Sequence, residues 1–181
     1  MEYCEAAKPA MMFAMKRYLL LLLLCVALLF SSEIRQAQLT GVIDNGTLVM
    51  DLGASTYICS PYGIRTLEAL ENAPGLEGEC RNRIARFGTK NPLASQYAHR
   101  ALRRFQFYRI EPKKEGCVLY GRGRQSYAEG LLQEGLAVVR PGFDDREWAF
   151  RLERAQQGAK ETKRGIWSDP MWEKCAGKMA N

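Results

Sequence analysis

The sequence predicts an α+β domain in which short strands come first and helices follow. Three observations carry this. An Asn45-Gly46 dipeptide sits between two short apolar stretches, further strand-like stretches occupy Thr56 to Cys59 and Phe105 to Tyr120, and helical spacing is clear from Trp148 to Ala159. At 181 residues there is room for one ordinary domain and a short appendage. With 47% apolar and 10% aromatic residues a real core can form, which excludes general disorder. One long apolar run excludes a polytopic membrane protein. A single histidine, His99, and no CxxC pair argue against the usual zinc sites, and a Ser-His-Asp hydrolase would have to run on that one histidine in an arginine-rich stretch.

The first element is a targeting segment. Lys16-Arg17 precede Tyr18 to Phe30, thirteen apolar residues without a charge. Crossing a bilayer takes about 20 residues, so the run fits a signal-peptide core better than a full span. Leu29-Phe30-Ser31-Ser32 offers no Ala-x-Ala cleavage pattern. Residues 1–32 are therefore read as a signal peptide or an uncleaved amino-terminal anchor. Basic residues ahead of the run send the rest across the membrane, to a periplasm, an envelope or the exterior. Residues 33–170 form the expected domain and 171–181 a tail.

The cysteines suit that address. Cys4 and Cys25 belong to the leader, leaving Cys59, Cys80, Cys117 and Cys175. An even number in an oxidising compartment suggests two disulfides among three possible pairings, with four reduced buried cysteines as the alternative.

In chain order, Gln38 to Ile43 and Leu48 to Leu52 are strands joined by the Asp44-Asn45-Gly46-Thr47 turn. Thr56 to Cys59 begins a third strand that Pro61 limits. Leu93 to Arg104 steps round a helical face, and Phe105 to Ile110 and Gly116 to Tyr120 make a second hairpin. Tyr127 to Glu134 is a short helix stopped by Gly135, followed by the apolar Leu136 to Val139. The last helix has Asp144 as its cap with Glu147 as capping-box partner. Trp148, Leu152, Ala155 and Ala159 form its buried face, and Gly165 its left-handed stop. Five strands, an interposed helix and two carboxyl-terminal helices make a five-stranded OB-fold β-barrel with helical additions.

Charge is unevenly distributed. Glu33 to Cys80 holds seven acids and two bases, while Arg81 to Arg124 holds twelve bases and two acids. A block that basic suggests an anionic partner, nucleic acid or an acidic membrane surface, against the plainer reading of a solvated face.

At this point the chain resembles the staphylococcal nuclease (thermonuclease) family. The residues that carry it are Val42 to Leu48, Tyr127 to Val139 (YAEGLLQEGLAVV), and Leu152 to Ser168 ending in Lys-Arg-Gly-Ile-Trp-Ser. The resemblance covers about 37–170. It implies a calcium-dependent phosphodiesterase of DNA and RNA, with two aspartates and a glutamate around the cation and two arginines on the phosphate. A hard cation needs carboxylate oxygens, and phosphorane charge needs guanidinium forks.

Several of these groups are not matched. The family turn is Asp-Gly-Asp-Thr; here Asp44 matches the first aspartate, but Gly46 stands at the ligand aspartate. One register lays Gly63-Ile64-Arg65-Thr66-Leu67-Glu68 on the family's Gly-Ile-Asp-Thr-Pro-Glu. It keeps Glu68, places Arg65 on the second metal aspartate and Ser60 on the first arginine. A second register uses Asn72-Ala73-Pro74-Gly75 and Cys80, with Ile64-Arg65 as the strand arginine. Counting back from Gly135, the second arginine becomes Glu115. The literal Tyr120-Gly121-Arg122-Gly123 lies too near Gly135 and reads as a turn.

The resemblance further implies that the third strand lies beside the fifth, so that Cys59 meets Cys117 and Cys80 meets Cys175. The expected function is an exported, catalytically impaired domain that holds single-stranded nucleic acid or another polyanion, with Arg65 and Glu68 as vestigial catalytic residues and no bound metal. The candidate contacts are Arg100, Arg103, Arg104, Arg109, Arg122 and Arg124 with Phe105, Phe107, Tyr108 and Tyr120, at least half of those aromatics being core. One alternative is an active Ca²⁺-dependent nuclease using Arg65, Glu68, Asp44 or Asp51 and Arg122. Another is a protein-interaction module of the envelope.

Overall fold

The Asn-Gly turn joins two strands as its chemistry requires. In the computed structural model, β1 (Arg35–Asp44) and β2 (Thr47–Asp51) pair antiparallel from Asp44↔Thr47 outward, and the Gly46 N–H donates to Asp44 Oδ1 at 2.7 Å. The structure describes residues 34–179 apart from Gly75 and Arg122, so the leader reading and that of Arg122 lie outside the described residues. After β2 come β3 (Thr56–Cys59), β4 (Ile64–Thr66), α1 (Leu67–Glu71), α2 (Gly78–Lys90) and α3 (Tyr97–Ala101). Next are β5 (Phe107–Lys113), β6 (Gly116–Tyr120), α4 (Tyr127–Gln133), β7 (Ala137–Val139) and α5 (Arg146–Glu161). A 3₁₀ turn (Gly165–Ser168) and α6 (Trp172–Met179) close the described chain.

The five strands expected from the sequence form one antiparallel sheet in the order β3-β2-β1-β5-β6. Its two edges meet: the Cys117 N–H donates to Ser60 O at 2.8 Å, the Tyr62 N–H donates to Cys117 O at 3.0 Å, and Cys59 is bonded to Cys117. The result is an α+β arrangement of the SNase/OB type. Alternation turns Ala37, Leu39, Leu48, Met50 and Ile110 inward, where they are fully buried against Leu131, Leu152 and Ile166. A second sheet of two strands, β4 and β7, is an addition that the sequence reading does not contain.

The helices carry the larger corrections. The interposed helix is α2, not Leu93 to Arg104; of the latter segment only Tyr97–Ala101 is helical. The reason lies in β1, which binds the backbone just past that segment: the Phe105 N–H donates to Leu39 O at 2.7 Å and the Leu39 N–H to Gln106 O at 3.0 Å. In α2, Cys80 and Ile84 make a narrow buried stripe among basic residues, too thin to stand out in the sequence. In α6, Trp172 is fully enclosed with its ring centroid 6.4 Å from that of Trp167. The disulfide Cys80–Cys175 ties α6 to α2. Both disulfides are paired as the resemblance implied.

The cap of α5 is Asp145 rather than Asp144, because the acceptor must reach three residues on: the Trp148 N–H donates to Asp145 Oδ1 at 3.2 Å. Lys163, not Gly165, supplies the left-handed stop, at φ 51°. The Arg164 N–H reaches back to Ala159 O at 2.9 Å, completing a Schellman closure. Gly165 is thereby released for another task. It packs at φ 55° against Gly135 at φ 66°, and the Ile166 N–H donates to Gly135 O at 3.1 Å. A Cβ on either glycine would run into the other's backbone neighbourhood. The Gly-Leu-Ala and Gly-Ile-Trp segments therefore meet main chain to main chain.

Gly135→Ala is expected to lower stability by more than the about 1–3 kcal/mol of a strained backbone alone, since the Arg164 carbonyl must also move. Gly158→Ala, in α5 with nothing near its added Cβ, should stabilise by about 0.5–1 kcal/mol. Thermal unfolding of the two variants checks both signs.

Candidate functional site

Three pieces of backbone converge below the first turn. Thr66 ends β4 and caps α1, its hydroxyl accepting from the Ala69 N–H at 3.4 Å, so Glu68 enters the first helical turn facing Asp44. Between them lies a cleft of about 310 Å³ whose walls include Asp44, Gly46, Ser60, Arg65, Glu68 and Asn72. Arg65 and Glu68, which the first register lays on the family motif, both line this cleft beside the Asp44 turn. In the second, Asn72 reaches the cleft wall, but its side chain donates to Glu68 O at 2.9 Å, and Gly75 lies outside the described residues.

Beneath the cleft sits Asn45, 1% exposed. Its Nδ2 donates to Glu68 Oε1 at 2.7 Å and to Ala94 O at 2.8 Å, and its Oδ1 accepts from the Ala98 N–H at 2.9 Å. Its backbone carbonyl accepts from the Tyr127 hydroxyl at 3.1 Å. Burial pushes Tyr127 far above the ordinary phenol range, so it remains a neutral donor. Glu68 is also raised, first by burial and further by the Asp44 charge, while hydrogen bonds from Thr66 and Asn45 oppose the shift. Its Oε2 is buried without a hydrogen-bond partner.

The calcium ion implied by the resemblance does not fit this set. Asp44 Oδ1 is engaged by the Gly46 N–H and Glu68 Oε1 by Asn45. That leaves Glu68 Oε2 and the second oxygen of Asp44, whereas Ca²⁺ takes six to eight oxygens, several of them carboxylate. Among the described residues no group of three acids, histidines or cysteines could hold a metal. A Cβ on Gly46 would stand 3.0 Å from Thr66 Oγ1, so a carboxylate there would require Thr66 to give way. The exposed Arg65, on β4 opposite Val138, brings a positive charge to the same cleft and makes no ion pair with another described residue.

Glu115, at the position of the expected second arginine, lies in the β5–β6 turn and is ion-paired with Arg140. The Arg140 N–H holds Gly63 O at 2.9 Å, and its guanidinium lies 5.4 Å from the Phe143 ring centroid. Arg140 and Asn45 were both missed as site residues. Nothing in the local sequence marks a partner 25 residues away, although Asn45 was visible as a turn residue. Asp51 lies elsewhere, at the far end of β2, accepting from the Gly53 N–H.

Among the described residues, none of the candidate contact arginines lines the cleft. Arg100, on α3, donates to Leu93 O at 3.0 Å, and the Arg124 carbonyl accepts from Arg151 Nη2 at 2.9 Å. Arg103 and Arg104 lead into Phe105, beside β1. Arg104 Nε donates to Thr40 O at 3.1 Å, and its guanidinium is 5.1 Å from the Phe105 ring. On β5, Arg109 donates to Gly123 O at 3.2 Å and lies 5.0 Å from the Tyr120 ring. Of the four aromatics, Phe105 and Phe107 are exposed at 64% and 68%, whereas Tyr108 and Tyr120 pack against the core.

An antiparallel sheet of this type, with an acid-and-arginine cleft at its first turn, defines a nuclease-like domain. The chain is 30% identical to the thermonuclease of Staphylococcus hyicus over 139 residues, 71% of this chain and 73% of that protein. It belongs to the thermonuclease family. No family model matches it.

The raised Glu68 carboxyl gives a signed expectation. Its neutral form is favoured in the folded state, so its contribution is fully present below the ordinary glutamate value of 4.5 and is lost as pH rises through the raised folded value. Glu68→Gln keeps the acceptor for Asn45 and removes the charge. Its melting temperature should exceed that of the unaltered protein at neutral pH, and the difference should vanish below pH 4.5. A constant difference across pH would refute this.

Proposed function

We propose that this protein is an exported, catalytically impaired member of its family that holds single-stranded nucleic acid without efficient calcium-dependent cleavage. The observation that carries this reading is the cleft itself, which Gly46 and Arg65 both line; the resemblance sets Gly46 at one metal aspartate, and its first register sets Arg65 at the other. Arg65 offers a guanidinium fork for a phosphodiester, and a fixed positive charge there works against a cation. Losing one catalytic electrostatic group costs about 10²–10³ in rate, and several are replaced together, although such losses do not multiply within one site. The basic block and the thermonuclease relative support nucleic acid as the partner. Export is supported by the apolar segment after Lys16-Arg17 and by two disulfides in the domain.

Within this reading Asn45 and Asn72 keep Glu68 in place, Asp44 closes the turn, and Arg65 meets the phosphate. The test uses heat-denatured DNA and the oxidised protein, with calcium or with chelator. Binding that survives chelator and weakens with salt, without turnover, is the expected result. Chelator-sensitive hydrolysis would overturn the proposal and establish the calcium-dependent phosphodiesterase in its place.

A further inference from the structure

Phe105 bears two costs at once. It is a bulky residue in the left-handed region, at φ 64°, where glycine or asparagine would sit more easily, and its ring is exposed to water. Its backbone is held there from both sides: the N–H donates to Leu39 O, and the carbonyl accepts from Gln38 Nε2 at 3.1 Å. Two residues on, Phe107 is the cross-strand partner of Gln38, so the Phe105 carbonyl and Phe107 both meet this one residue of the sheet. Alternation along β5 turns Phe107 and Arg109 outward together, while Ile110 is buried.

The charge around this face is mainly positive. Arg104 uses Nε on Thr40 O and keeps its terminal nitrogens without a partner among the described residues. Arg103 is exposed, and Arg109 spends one terminal nitrogen on Gly123 O. Asp51, opposite Gln38 on β2, is an acid on the same face, with Oδ1 already accepting from the Gly53 N–H. Two exposed rings with three arginines beside them match a chain of phosphates carrying unpaired bases. Every base has a stacking face, and a duplex hides it.

We propose that the outer face of the sheet around Gln38 is a stacking platform for unpaired bases, with Phe105 and Phe107 taking base faces and Arg103, Arg104 and Arg109 taking the flanking phosphates. This rests on the nucleic-acid reading above but assigns the strand to a surface separate from the Arg65 cleft. The left-handed backbone at residue 105 is then the cost of presenting the ring.

The experiment measures anisotropy of a labelled oligothymidylate and of a duplex of equal length with the oxidised full chain in chelator. Phe105→Gly, Phe107→Ala, Arg104→Ala and Arg65→Ala are compared with the unaltered protein, and each melting temperature is recorded. The single strand should be preferred. Phe105→Gly should raise the melting temperature yet weaken binding on the order of tenfold, and Phe107→Ala should weaken binding similarly at unchanged melting temperature. Arg104→Ala should lower the slope of log affinity against log salt by about 0.7. Should both phenylalanine variants bind like the unaltered protein while Arg65→Ala does not, the platform is overturned and the nucleic-acid reading survives on the cleft. No affinity in the unaltered protein at low salt overturns both. Phenylalanine variants that lose only binding to anionic vesicles would assign the face to a membrane and refute the platform.

Discussion

A single buried amide sets the geometry on which the cleft depends. Asn45 enters as a turn residue, yet its side chain uses both donors and its acceptor on two other segments, and its carbonyl takes the hydroxyl of Tyr127 from a third. An amide buried to this extent is tolerable only when satisfied, and once satisfied it defines where its partners stand. The first hairpin, α1, the Ala94–Ala98 segment and α4 are thereby placed relative to one another. Glu68 faces Asp44 because Asn45 holds it there.

The electrostatics of the cleft result from that arrangement. Glu68 is partly buried and lies near Asp44, so burial disfavours its charged form and leaves it in need of counter-charge. A family member with bound calcium would meet that need with a divalent ion. Here Arg65 brings a covalently attached positive charge to the same space, and Gly46 is pressed against Thr66 where a further carboxylate would stand. Glu115 would repel a phosphate if it stood alone, and its pairing with Arg140 tempers that charge. Gly46 thus has a packing reason and Glu115 a partner.

The core and the proposed stacking surface are carried by opposite faces of the same sheet. Inward residues of β1, β2 and β5 build a core from apolar side chains, and the outward residues of the same strands are free to carry rings and guanidinium groups. The helices stay on the far side because main chains meet at Gly135 and Gly165, where no side chain would fit. That contact explains why two short glycine-containing motifs carry so much of the family resemblance.

Much was legible in the sequence. The hairpin at Asn45-Gly46, the five strands of the sheet and the buried stripe Trp148–Leu152–Ala155–Ala159 are local patterns of turn chemistry and periodicity, readable within a few residues. The resemblance added the pairing of the cysteines. The narrow stripe of α2, the closing helix around Trp172, the cap at Asp145 and the stop at Lys163 escaped, because each depends on what the segment packs against. The basic block illustrates the divide most clearly. Its charge was obvious in the chain, but its arginines are distributed over α2, α3, the approach to β5, β5 itself and the loop before α4, and none of the described ones lines the cleft. Sequence by itself determined which segments become the five strands of the main sheet and what charge the domain carries. Only the tertiary structure decided that Asn45 serves Tyr127 across 82 residues and that Glu115 finds Arg140 across 25, because such partners are chosen by the packing of distant segments and leave no periodic trace along the chain.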